Sequence, residues 1–276
     1  MSATCQVLED PTRRALDGDR PRPVRIHRWQ ADRAAAPLVL LSHGTGGAAE
    51  DLAWWAEALR TEGFDVLAPD HHGNTHVEPY RAEGFAWWWE RPTDLSFALD
   101  RVPARGPVGA AGFSLGGYSA AALCGARVGA DAYRALLRSA EDLPSPPEYP
   151  GLREELRSRY GAEAAQAWAS RAAEDLRDPR VRAGFLLCPA LGPAIDPASL
   201  AAIDVPVAVR WTRADTETPP ETHGELYTRG IPGADGAAVG GPETGHYGFV
   251  IPDQVDEQAR GEAIEASARF FRSTLG

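Results

Sequence analysis

The sequence predicts an α/β fold, a largely parallel sheet wrapped by helices. Three observations carry this expectation: short apolar runs alternate with longer segments of helical periodicity, a central run is continuously apolar, and glycine-rich turns follow the runs. With 276 residues, 43% of them hydrophobic, the chain can bury one sizeable core, so a single domain is expected. The net charge of -11 comes from scattered acids with no basic stripe, which argues against a nucleic-acid partner. No basic segment followed by an apolar run opens the chain, and no stretch is long enough to span a bilayer, so neither export nor membrane association is expected. Three widely spaced cysteines, Cys5, Cys124 and Cys188, suggest neither a disulfide framework nor a zinc knuckle and fit a reducing cytoplasm.

In chain order, residues 24–29 alternate in the way of an antiparallel edge strand. Residues 37–42, with Leu38, Val39, Leu40 and Leu41 in succession, read as a strand buried on both faces that ends in His43-Gly44-Thr45-Gly46-Gly47. A helix is expected over 51–60, where Leu52, Trp55, Ala56 and Leu59 recur at helical spacing. Gly63 releases the chain into a strand over 64–68, and a further strand over 108–113 runs into Ser114. The helix after it is rich in Gly116, Gly117, Ala120, Ala121 and Ala122, small residues that let it lie close against a sheet. Strands are expected at 183–188, 205–211 and 237–239, and a closing helix over 254–271. Between 127 and 180 the pattern changes: Pro144, Pro146, Pro147 and Pro150 break the chain, and Ala- and Glu-rich segments such as 162–176 follow. This region is expected to form a helical cap insertion, with an ordinary peripheral helix pair as the plain alternative.

Gly112-Phe113-Ser114-Leu115-Gly116 fits the Gly-x-Ser-x-Gly nucleophile turn, and it stands where that turn must, between a strand and a helix. A serine needs a base, and the base needs an orienting acid. His246, in a glycine-bounded loop near the C-terminus, follows the chain order Ser, acid, His. Asp215, after the strand over 205–211 and ahead of Pro219-Pro220, is the favoured acid; Glu217 and Asp196 are alternatives. The backbone N–H groups of Leu115 and Thr45 are the candidate oxyanion donors. His43 is expected to shape its loop rather than act as base. His71, His72 and His76 resemble a metal patch but lack a carboxylate or cysteine at zinc spacing, so no metal is expected. Of the run Trp87, Trp88 and Trp89, at most one or two rings face a site. The expected pocket lining is His43, Gly44, His71, Trp88 and Tyr247.

On these motifs the chain resembles the dienelactone-hydrolase-like branch of the α/β-hydrolases and, more distantly, the platelet-activating-factor acetylhydrolase type. The likeness runs through Asp10-Pro11-Thr12-Arg13, Ser42 to Gly47, Ala68-Pro69-Asp70-His71-His72-Gly73-Asn74-Thr75, Gly112 to Gly117, Ala214-Asp215 with Pro219-Pro220, and Gly245-His246-Tyr247. It implies a mostly parallel eight-stranded sheet, a Ser114, Asp215, His246 triad, no cofactor, and hydrolysis of an ester or related acyl bond. In dienelactone hydrolases the nucleophile is a cysteine, whereas this chain has serine, so the lactone reaction itself is not implied. The expected partner is a small-molecule ester or acyl substrate, and the expected assembly a monomer or weak homo-oligomer. Thioester or amide cleavage, or a non-hydrolytic role on the same fold, are the alternatives.

Overall fold

The computed structural model describes residues 3–139 and 146–276; Pro144 lies outside the described residues. The strands are β1 (Thr4–Arg14), β2 (Pro21–Trp29), β3 (Leu38–Ser42), β4 (Asp65–Asp70), β5 (Val108–Phe113), β6 (Val181–Leu187), β7 (Val207–Trp211) and β8 (Asp235–Ala238). The helices are α1 (Ala53–Thr61), α2 (Ala82–Ala86), α3 (Glu90–Arg101), α4 (Leu115–Cys124), α5 (Ala130–Ser139), α6 (Leu152–Arg159), α7 (Ala162–Ala172), α8 (Pro197–Ala201), α9 (Gly224–Gly230) and α10 (Glu257–Leu275). Among the described residues the strands form one eight-stranded sheet in the order β1-β2-β4-β3-β5-β6-β7-β8. β2 runs antiparallel to both β1 and β4, and the pairs from β4 through β8 are parallel.

Every residue of β3, β4 and β5 is buried, as a strand covered on both faces requires. Their side chains alternate between two cores. Val39, Leu41, Val66, Ala111 and Phe113 meet Trp55 and Leu59 of α1 and Ala263 and Phe271 of α10 on one face. Leu38, Leu40, Leu67 and Ala110 meet Leu95 and Ala98 of α3 and the alanines of α4 on the other. The small side chains of α4 let it pack on β3, β5 and β6 together.

Residues 24–29 are antiparallel as expected but do not form the edge. β1 covers them on the outside, paired from Thr4 with Arg28 to Asp10 with Arg22. β1 carries no readable hydrophobic signal, because as the edge strand it exposes nearly all of its residues. Its register shifts between Asp10 and Arg14, around Pro11, which has no N–H to offer the ladder. The closing helix starts at Glu257 rather than 254, because a 3-10 turn over Pro252–Gln254 precedes it and Asp256 caps it by accepting the Ala259 N–H at 3.0 Å. It continues to Leu275, where Phe271 and Leu275 pack over Gly109. Within 127–180, α5 packs on α7 and α6 packs on α2, with Leu152 against Ala82 and Phe85. No helix among the described residues is long and apolar enough to cross a membrane.

Candidate active site

The carboxyl ends of the central strands build the site. Ser114 follows β5 directly and adopts φ 56°, ψ -121°, a region that costs a non-glycine residue energy and persists only where its surroundings enforce it. The enforcement is visible in the bonds around it. The Ser114 N–H donates to the Leu187 carbonyl at 2.9 Å, and the Ser114 carbonyl accepts from Gly117 at 2.8 Å and Ala190 at 3.0 Å. The glycines of the motif are steric necessities: a Cβ on Gly112 would stand 2.1 Å from the Gly116 carbonyl oxygen, and one on Gly116 would stand 1.9 Å from that of Ser42.

Asp215 lies in the loop after β7, and His246 opens a 3-10 turn after β8. An Ala214 N–H to Thr244 carbonyl bond of 3.1 Å draws the two loops together. The Ser114 hydroxyl donates to His246 Nε2 at 2.9 Å, and His246 Nδ1–H donates to Asp215 Oδ2 at 2.7 Å. Asp215 accepts three further bonds, from the Thr218 N–H (2.7 Å), the Glu217 N–H (3.0 Å) and the Thr218 hydroxyl (2.8 Å). Burial opposes the charge on Asp215, but His246 and the two Thr218 donors outweigh it and hold the carboxyl below the usual carboxylate range. It is therefore ionised at neutral pH and fixes the imidazole with its proton on Nδ1. The alternative acids stand elsewhere. Glu217 lines the adjoining cavity, and Asp196 caps α8 by accepting the Ala198 N–H.

A cavity of about 510 Å³ opens over Ser114 and His246. His43, Gly44, Thr45 and Tyr247 line it, together with Leu52, Phe113 and Val250. Pro146, Pro147 and Glu148 close one side, so the 127–180 region contributes a wall. Among the described residues no N–H acceptor is found for Thr45 or for Leu115 at the first turn of α4.

Two expected lining residues are corrected. His71 does not reach the cavity: it is fully buried, with Nδ1–H donating to Asp94 at 3.0 Å and Nε2 accepting from the Ser42 hydroxyl at 2.8 Å. Trp88 also lies outside the lining; its indole N–H donates to the Phe85 carbonyl at 2.9 Å and its ring packs edge-on to Tyr133 in the core. Of the neighbouring histidines, His72 stays outside the lining and binds the Leu16 N–H and Glu78, whereas His76 binds Asp51 and lines the cavity.

Cys188, Asp215 and His246 bring donor atoms within 4.8 Å of one another. As a metal ligand set they fit poorly, since burial and the Asp215 charge push the Cys188 thiol far above its ordinary range and so keep it protonated. Asn74 stands in one of the motifs of the family likeness but with no role assigned, and neither Thr218 nor Arg91 was singled out by the sequence. Arg91 is the least legible, because a charged residue in an amphipathic helix reads as solvent-facing while this one is 1% exposed.

No model of a known protein family matches the sequence, and no curated protein matches it. Solved structures do. A ferulic acid esterase from Streptomyces cinnamoneus aligns over 99% of this chain and 89% of its own at 19% identity, with a TM-score of 0.61. The esterase domain of a Rhodothermus marinus protein aligns over 100% of both chains at 11% identity and 0.59. A dienelactone hydrolase from Anabaena variabilis aligns over 100% of both at 15% identity and 0.57. The chain has the α/β-hydrolase fold. Within the α/β-hydrolase fold, a residue on the sharp turn between a strand and its following helix presents its side chain at the top of the sheet, which is where Ser114 stands.

Proposed function

We propose that this chain is a serine carboxylic-ester hydrolase acting on a small molecule through an acyl-enzyme. The observation that carries the reading is the unbroken sequence of bonds from Ser114 through His246 to Asp215 at the floor of a cavity. Ser114 Oγ attacks the ester carbonyl carbon as His246 Nε2 takes its proton, and the carbonyl oxygen becomes an oxyanion held by the N–H groups of Thr45 and Leu115. The tetrahedral intermediate collapses, the C–O bond to the alcohol breaks, and His246 returns the proton to the leaving oxygen. Water, deprotonated by His246, then attacks the acyl carbon, the bond from that carbon to Ser114 Oγ breaks, and His246 returns the proton to Ser114 as the acid leaves. Asp215 holds His246 in the required tautomer and stabilises its cation.

The esterases among the proteins sharing the fold support an ester over another acyl bond. Residues 127–180 act as the cap in this reading, supplying the wall at Pro146, Pro147 and Glu148. The unpaired state of Cys5, Cys124 and Cys188 supports a reducing, cytoplasmic setting. A fluorophosphonate probe should label the wild-type protein at Ser114 and leave Ser114→Ala unlabelled, and p-nitrophenyl esters should be cleaved with a loss of about 10⁴-fold or more in that variant. Cleavage confined to thioesters or anilides, or a fully active Ser114→Ala, rejects the proposal.

A further inference from the structure

Behind the nucleophile lies a buried polar assembly that the triad chemistry does not use. Its centre is Arg91, in the first turn of α3 and makes no ion pair among the described residues. Asp94, one turn further along, is engaged instead by Arg13 at 2.8 Å, Arg22 at 3.2 Å and His71. Burial lowers the Arg91 pKa to about 9 while the Asp94 charge pushes it back up, so the group is a cation at neutral pH. An unpaired buried cation is costly unless its donors are satisfied. Those of Arg91 go to the His43 carbonyl, to Asn74 Oδ1 at 2.8 Å, to Ser119 Oγ at 3.3 Å and to Ser42 Oγ at 3.5 Å.

Two of these acceptors act on the loop that follows β3, His43 at its start and Asn74 through its other end. Asn74 Oδ1 also accepts the Gly46 N–H at 3.0 Å, so one side chain ties Arg91 to the loop's far end. His43 Nε2 accepts the backbone N–H of His71 at 3.1 Å, which leaves its proton on Nδ1, and Nδ1–H donates to the Gly44 carbonyl at 2.7 Å. A trans peptide is planar with its C=O and N–H opposed. Fixing the Gly44 carbonyl on the His43 side therefore turns the Thr45 N–H to the other side. Ser42, His71 and Asp94 repeat the distances of a catalytic triad, yet all three are at most 2% exposed and none lines the cavity. Their bonds hold His71 where its own N–H meets His43.

We infer that Arg91 and His43 are positioning residues for the oxyanion donor at Thr45, Arg91 anchoring the two ends of the loop and His43 setting the orientation of the Gly44–Thr45 peptide. The inference rests on the hydrolase reading above. It assigns neither residue a contact with the reacting atoms, and its effect belongs to the transition state, where the oxyanion exists.

The test is a comparison of His43→Leu, which removes the Nδ1 donor at similar volume, with His43→Asn, whose amide nitrogen offers a donor near the same place, and with Arg91→Met. His43→Leu and Arg91→Met should lower kcat about 10- to 100-fold with KM little changed, since complete loss of one oxyanion donor costs about 10²- to 10³-fold. Affinity for a trifluoromethyl ketone that forms a tetrahedral adduct on Ser114 should fall by the same factor, and His43→Asn should recover most of both losses. If Arg91→Met does not fold, the His43 pair decides. A folded His43→Leu with wild-type kcat and ketone affinity overturns the positioning role while leaving the hydrolase reading intact. Wild-type protein that neither cleaves esters nor binds the ketone overturns both.

Discussion

Ser114 is held in a backbone conformation that few residues other than glycine adopt, and the structure supplies the constraint through Gly112 and Gly116. Adding one methyl group at Gly116 places it inside the Ser42 carbonyl, so Gly116→Ala is expected to cost about 3 kcal/mol in urea unfolding; a change of a few tenths contradicts the packing described. Asp215 is the residue whose neighbours fix the imidazole tautomer. Asp215→Asn should keep the fold but lower kcat about 10⁴-fold, because an amide in that place no longer enforces Nδ1–H. A smaller loss, with a comparable loss in Glu217→Gln, would transfer the role to Glu217. The place of Asp215 in the loop after a strand was legible in the sequence. Thr218, which supplies two of its bonds, was not, because a threonine in a polar loop gives no signal until the loop is folded.

The ends of β3 and β4 and the start of α3 form a unit in which His43 and His71 are buried and neutral. Burial, with Arg91 adding to it, lowers the His43 pKa well below its usual value and that of His71 to about 4, with Asp94 opposing the shift at His71. In the unfolded chain both groups bind a proton near pH 6.5, so between about pH 6.5 and pH 4 unfolding takes up protons. Stability should therefore fall as pH drops through that window, by up to about 1.4 kcal/mol per pH unit for each histidine. Asp94 is shifted down, against its burial, by Arg22, Arg13 and His71, and its contribution is lost only at lower pH, below the ordinary carboxylate range. Urea midpoints measured from pH 7 to pH 4.5 check this, and a flat profile would contradict it. Among the elements, β3, β5 and α4 were readable because continuous burial and small side chains leave a local pattern. β1 was not, since an edge strand that exposes its residues shows no hydrophobic periodicity.

The molecule as a whole is acidic, with a net charge of -11, and so is its cavity. Asp51, Glu148 and Glu217 line it without any lysine or arginine, and burial, reinforced by Glu217, raises the Glu148 pKa. An ester with a carboxylate in its acyl chain should be a poor substrate: kcat/KM for p-nitrophenyl hemisuccinate should lie about 10-fold or more below that for the neutral butyrate. Added salt and Glu148→Gln should both narrow the gap, and a preference for the anionic ester would contradict the charge reading. The order of Ser114, Asp215 and His246 and the apolar runs of the central strands could be read along the chain, because strand burial and the nucleophile turn are set by residues a few positions apart. The distances among Ser114, His246 and Asp215, the withdrawal of His71 and Trp88 from the cavity, and the placement of Arg91 behind the loop over 43–47 depended on the folded chain. They join residues far apart in sequence, such as Ser114 and His246, and a buried polar group's role is fixed by partners that local patterning does not encode.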